Sequence, residues 1–142
     1  MYRLLAFVSV LMISNLSYAD HHALSMEARQ PTSELEMTSI TVGDDFTIIN
    51  AETEFELYGR AFMTFTLSYN SEGNGGTYTF EGRAYLDEET AASGSGAGIW
   101  NREGTKISMH QLINVSDGTI NLDIITIDPL NRTGTHDVYA VK

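Results

Sequence analysis

Three polar side chains, Ser95, Gln111 and Asp123, fall at spacings that bring them to one level of a β-structure among apolar neighbours. A carboxylate in such surroundings is costly to leave unpaired, and desolvation favours its protonated form, which is how an interior aspartate becomes a general acid or base. Gln111 and Ser95 would set neutral hydrogen bonds beside it. Asp123, Gln111 and Ser95 are therefore the candidate catalytic residues. Tyr78, Phe80, Ile99, Met109, Asn121 and Ile125 are the candidate ligand-binding wall on the same face. The competing reading is a hydrogen-bonded polar layer near one mouth of a barrel, with Asp123 open to water.

Little else in the chain suggests chemistry. No Gly-rich phosphate loop, nucleophile elbow or zinc spacing occurs, and no cofactor is expected. Asp20-His21-His22 would place a histidine third behind a free amine if the chain were cut before Asp20, an arrangement that chelates copper or nickel in a square plane. The alternative there is a solvated tether that happens to carry histidine. His110 falls on the opposite face of its strand from Met109 and Gln111, so its expected place is the surface or an interface.

These residues must be positioned by strands. Segments 38–42, 46–49, 54–58, 60–69, 77–86, 91–101, 105–115, 119–128 and 136–141 are rich in Thr, Ile, Val, Tyr and Phe, and Gly and Asp clusters separate them. No stretch after residue 38 holds a 3.6-residue period for three turns. The expected fold is all-β: a closed antiparallel meander β-barrel of about eight strands, which hides its edges by closing.

Two turns set the register. Arg102-Glu103-Gly104 and Ser116-Asp117-Gly118 each place Gly third in a three-residue loop, where a left-handed residue is needed. Asn101 then faces Thr105 and Val115 faces Thr119, which pairs Ser95 with Gln111, Gln111 with Asp123 and Met109 with Ile125. Ile99, Ile107, Met109, Ile113, Ile125 and Ile127 share the inner face. A four-residue loop over 87–90 would pair Phe80 with Ala97 and Tyr78 with Ile99, adding Tyr78, Phe80, Ala84 and Leu86 to that face. By the same register Gly94, Gly96 and Gly98 strip side chains from the outer face, beside Leu112, Ile120, Leu122 and Ile124. That apolar outer patch predicts a homo-oligomer.

Residues 1–19 carry Arg3, the apolar run Leu4 to Ile13 and the boundary Ser17-Tyr18-Ala19, which together read as a secretory signal peptide cut after Ala19. The run is about half the roughly 20 residues a spanning helix needs, so no membrane insertion is expected. Residues 20–37, polar and carrying Pro31, read as an N-terminal tether, and 38–142 as the barrel domain. The whole chain has a net charge of −11, with 8 Lys and Arg against 19 Asp and Glu. That charge makes nucleic acid and anionic membrane poor partners. There is no cysteine, so a secreted or periplasmic chain of this kind holds itself together without disulfides.

The stretch Gly76-Thr77-Tyr78-Thr79-Phe80-Glu81-Gly82-Arg83-Ala84-Tyr85-Leu86, followed by Ser93-Gly94-Ser95-Gly96-Ala97-Gly98-Ile99-Trp100, resembles the central hairpins of the allene oxide cyclase barrel, which plant dirigent proteins share. The resemblance covers about a quarter of the chain and rests mostly on glycines and aromatics. It implies an eight-stranded barrel, often trimeric, whose apolar lumen binds a small hydrophobic molecule and steers its cyclisation without a cofactor. The strand that bears the cyclase family's acidic residue has no counterpart here. Three functions stay open: a cofactor-free isomerase, cyclase or lyase acting on an apolar small molecule, a non-catalytic carrier of such a molecule, and an envelope interaction protein.

Overall fold

The computed structural model describes residues 24–141; the expected signal peptide and the Asp20-His21-His22 motif lie outside the described residues. Among the described residues there is no helix. The strands are β1 (Met26–Ala28), β2 (Ser33–Val42), β3 (Phe46–Phe55), β4 (Gly59–Ser68), β5 (Gly75–Tyr85), β6 (Ala91–Glu103), β7 (Lys106–Val115), β8 (Ile120–Asp128) and β9 (Thr133–Val141). Each strand from β2 to β8 pairs antiparallel with the next, and β9 pairs with both β8 and β2, so eight strands close a barrel in meander order. Closure removes the unpaired edges that an open meander would leave. β1 is an additional strand against the far end of β9.

The tether expected over 20–37 is overturned in its second half. Ser33, Leu35 and Met37 are buried while Glu34 and Glu36 are exposed, a two-residue alternation that makes β2 the closing strand of the barrel. The charges and Pro31 hid this period from sequence reading. Pro31 falls in the break between β1 and β2. Having no N–H, it cannot continue the row of bonds toward β9, which β1 begins and Arg29 extends by donating its N–H to Val138 O at 2.9 Å.

The β7–β8 hairpin has the expected register: Gln111 faces Asp123, Met109 faces Ile125, and Val115 N–H reaches Thr119 O across the Gly118 turn. Both hairpins flanking β6 differ by an odd number of residues. Glu103 pairs with Lys106, leaving a two-residue turn with Gly104 first at φ 62°. That position suits a type II′ hairpin, whose twist matches the strands. On the other side Leu86 N–H closes on Thr90 O, which leaves residues 87–89 in the loop in place of the expected 87–90, so Phe80 faces Gly96 and Tyr78 faces Gly98. An odd shift turns a strand over. Two of them leave β5 and β7 on their expected faces and invert β6.

The inner face of β6 is therefore Gly94, Gly96, Gly98 and Trp100. Trp100 is buried and donates its indole N–H to Ser68 O at 3.0 Å. A Cβ on Gly96 or Gly98 would lie 2.1 or 2.0 Å from a carbonyl oxygen of β7, so these glycines let the two backbones approach closely. Leu86, expected inside, is exposed in its turn. The core is formed by Ile49, Phe65, Leu67, Tyr78, Met109, Ile125 and Ile127 with their neighbours.

Candidate functional site

Gln111 and Asp123 are directly opposite each other, inward and buried, as their spacing predicts. Asn121, Tyr78, Phe80, Met109 and Ile125 are buried on the same inner surface. Two candidates are corrected by the inversion of β6. Ser95 faces outward opposite Asn114, and Ile99 is 63% exposed on the outside opposite His110, so neither reaches the interior. His110 is exposed, as expected.

The partner of Asp123 is a residue the sequence reading did not place. His136 Nε2 lies 2.5 Å from Asp123 Oδ2, with both side chains almost wholly buried. The geometry suits an imidazole N–H donating to the carboxylate, which leaves Nδ1 as the nitrogen with a lone pair. The imidazole and the Phe55 ring pack in a T-shaped arrangement, ring centroids 5.0 Å apart. The missing signal was a register for the last hairpin. Reading strand nine from 136 put His136 at a strand end, whereas β9 begins at Thr133 and carries His136 and Val138 inward and buried.

A cavity of about 60 Å³ reaches this pair. Its sides include Phe55, Ala61, Met63, Phe80 and Ile113, and its polar residues include Asn121, Asp123 and His136 beside Tyr58, Arg83 and Ser93. By volume it holds a few non-hydrogen atoms. Of the expected ligand wall, Phe80 and Asn121 border it, while Tyr78, Met109 and Ile125 pack beyond it in the filled part of the lumen.

Four interior side chains keep polar atoms without a protein partner: the Tyr78 hydroxyl, both amide atoms of Gln111, Asp123 Oδ1 and His136 Nδ1. Buried polar atoms are nearly always hydrogen-bonded, so such a concentration is unusual for purely structural residues. Burial pushes the Tyr78 phenol far above its ordinary pKa, and the charge of Asp123 adds to the effect, which keeps the hydroxyl protonated as a donor.

Arg29 lies in the break between β1 and β2. Its Nη1 donates to Thr119 Oγ1 at 2.7 Å and to Asn121 Oδ1 at 2.8 Å, and its guanidinium lies 5.8 Å from the centre of the Tyr58 ring. The Tyr58 hydroxyl in turn donates to Asp117 Oδ2 at 3.4 Å. Tyr58 and Asn121 both border the cavity, so this network adjoins the cavity wall.

No protein-family model matches the chain, and no curated protein or solved structure matches it either.

Proposed function

We propose that the barrel binds a small, largely apolar molecule in its interior cavity and catalyses a cofactor-free proton transfer on it, of the isomerase, cyclase or lyase type. One observation carries the reading: a buried Asp123–His136 pair that opens onto an apolar-sided cavity. Asp123 fixes the imidazole through Nε2–H, and Nδ1 is left to take a proton from a bound molecule and return it. A base oriented by a carboxylate in this way is a recurrent catalytic arrangement. The cavity admits the reacting end of a larger molecule more readily than the whole of one, so the rest would lie across the mouth near Tyr58 and Arg29. The test is to pass an organic extract over the purified protein and analyse retained and altered species by mass spectrometry. Asp123→Asn should still retain ligand and stop altering it; a ligand retained but unaltered by the parent protein identifies a carrier instead.

The exterior supports self-association as part of this proposal. Ala97, Leu112, Leu122 and Tyr139 make one outward row across β6, β7, β8 and β9, flanked by exposed Ile99 and Ile120. The inverted β6 puts Ala97 and Ile99 on this outer face instead of the glycines. A trimer is the assembly that the resemblance implies, and export is what residues 1–19 imply.

A further inference from the structure

Closure between β9 and β2 covers Ser33 to Met37, where Met37 N–H reaches Arg132 O at 2.9 Å. β2 runs on past that point to Val42, paired with β3 on one side. Among the described residues no backbone hydrogen bond reaches Thr38 to Val42 from the other side. The barrel therefore keeps a short open edge, at the end away from the Asp123–His136 cavity. We propose that a second copy of this chain pairs with this edge, antiparallel and about a two-fold axis.

The edge has the composition of a pairing strand. Thr38-Ser39-Ile40-Thr41-Val42 is β-branched at every position but Ser39 and carries no charge and no proline. Edges are normally blunted by lysine, proline, a bulge or a covering segment. The irregularity between Met37 and Ser39 precedes the stretch, and from Ser39 the register with β3 is continuous to Val42 opposite Thr47. Ile40 is 40% and Val42 72% exposed, so apolar surface accompanies the open backbone.

The phase of the strand selects a second copy as the occupant. Gly43 N–H donates to Phe46 O, so by the alternation of an antiparallel ladder Ser39, Thr41 and Gly43 turn their backbone groups toward β3. Ile40 and Val42 turn theirs outward. A two-fold axis through Thr41 sets Ile40 opposite Val42 of the second copy, and Val42 opposite its Ile40. Each such pair exchanges both N–H···O bonds, which uses every outward group of these residues. The same register sets isoleucine beside valine on one face and Thr41 beside Thr41 on the other, both favourable cross-strand pairs. It places Asp44 opposite Thr38, so the acidic turn does not meet its own copy. Five residues bury far less than the roughly 1,200–2,000 Å² of a stable complex. The pairing is therefore weak at micromolar concentration and is read by trapping rather than by light scattering.

The chain has no cysteine, so an introduced thiol reports on one position. Directly opposite residues of a non-hydrogen-bonded pair have Cα atoms about 4.5 Å apart, and a disulfide spans roughly 4.4–6.8 Å. Thr41→Cys makes such a pair with itself in the proposed register. Glu88→Cys, in the exposed loop between β5 and β6, controls for collision. Under mild oxidation of the full chain, Thr41→Cys should give a disulfide-linked dimer on non-reducing electrophoresis and Glu88→Cys should not. Adding Ile40→Pro, which removes an outward N–H, or Val42→Lys, which charges the edge, should abolish the link with an unchanged circular dichroism spectrum. If Ile40→Pro fails to fold, Val42→Lys decides. The link should persist with Leu122→Lys and increase with salt, which screens the repulsion between two chains of net charge −11. A Thr41→Cys chain that stays monomeric, links no better than Glu88→Cys, or links only when Leu122 is intact overturns the proposal. A thiol at position 41 that neither links nor reacts with a soluble reagent overturns it in favour of another segment covering the edge.

Discussion

Arg29 and Asn121 are joined by a 2.8 Å hydrogen bond that ties the broken strand β1–β2 to a residue on the cavity surface. Asn121 borders the cavity that reaches the Asp123–His136 pair. Arg29→Ala removes the donor for both Thr119 and Asn121 and leaves a buried amide oxygen short of a partner, at a cost on the order of 1.5–3 kcal/mol. Urea unfolding should show that loss, and diethyl pyrocarbonate should modify His136 faster while exposed His110 reacts as before. Equal rates at His136 in parent and variant would mean that the entrance lies elsewhere.

The same network gives a pH dependence. Partial burial raises the Asp117 carboxyl pKa, but hydrogen bonds from Thr119, the charge of Arg29 and the Tyr58 hydroxyl together outweigh it and hold the value below that of an ordinary carboxylate. The folded pKa is thus lower than the unfolded value of about 3.9. Its stabilisation is fully present above that value and is lost as pH falls through the folded pKa. Between about pH 5 and pH 2 the parent should lose more stability than Asp117→Asn, measured by denaturant unfolding. Parallel curves would remove Asp117 from the account.

Gly98→Ala tests the close approach of β6 and β7. The new Cβ would fall 2.0 Å from His110 O and 2.8 Å from Gln111 Cα, and backbone on both sides leaves little room to yield. The expected destabilisation is about 1–3 kcal/mol or more, with altered amide protection along β6 and β7 by hydrogen exchange. A neutral substitution would show that the strands can separate without cost.

How much was legible follows from parity. Barrel class and the Gln111–Asp123 pair came directly from alternation and from the Ser116-Asp117-Gly118 turn, where one glycine at φ 87° fixes the loop length. Ser95 and Ile99 were misplaced because Gly104 serves equally well as the third residue of one loop or the first of another, and the two choices differ by an odd count. β2 was hidden because the alternation of Ser33, Leu35 and Met37 begins right after Pro31 and is carried by glutamates on its outer side. His136 stayed unseen because its partner lies on another strand whose turn, Asp128 to Arg132, holds a non-glycine residue at φ 59° that no simple turn rule anticipates.

Leu122→Lys tests the proposed assembly. Leu122 sits in the middle of the outward apolar row, between Leu112 and Tyr139. The variant should run as a folded monomer by light scattering, with an unchanged β circular dichroism spectrum, while the parent runs as an oligomer. A parent that is monomeric at micromolar concentration would assign this surface another role.

The proposed proton transfer by Asp123 and His136 inside the barrel is measured most directly by isotope incorporation. The purified protein is incubated with an organic extract in deuterated water, and mass spectrometry reads deuterium bound to carbon in each recovered species. At least one species should gain deuterium at a rate about 10²–10⁴ above buffer with the parent protein, and neither His136→Gln nor Asp123→Asn should support that gain. Incorporation that is absent throughout, or equal in parent and both variants, would contradict the assignment of this pair as the acid–base centre.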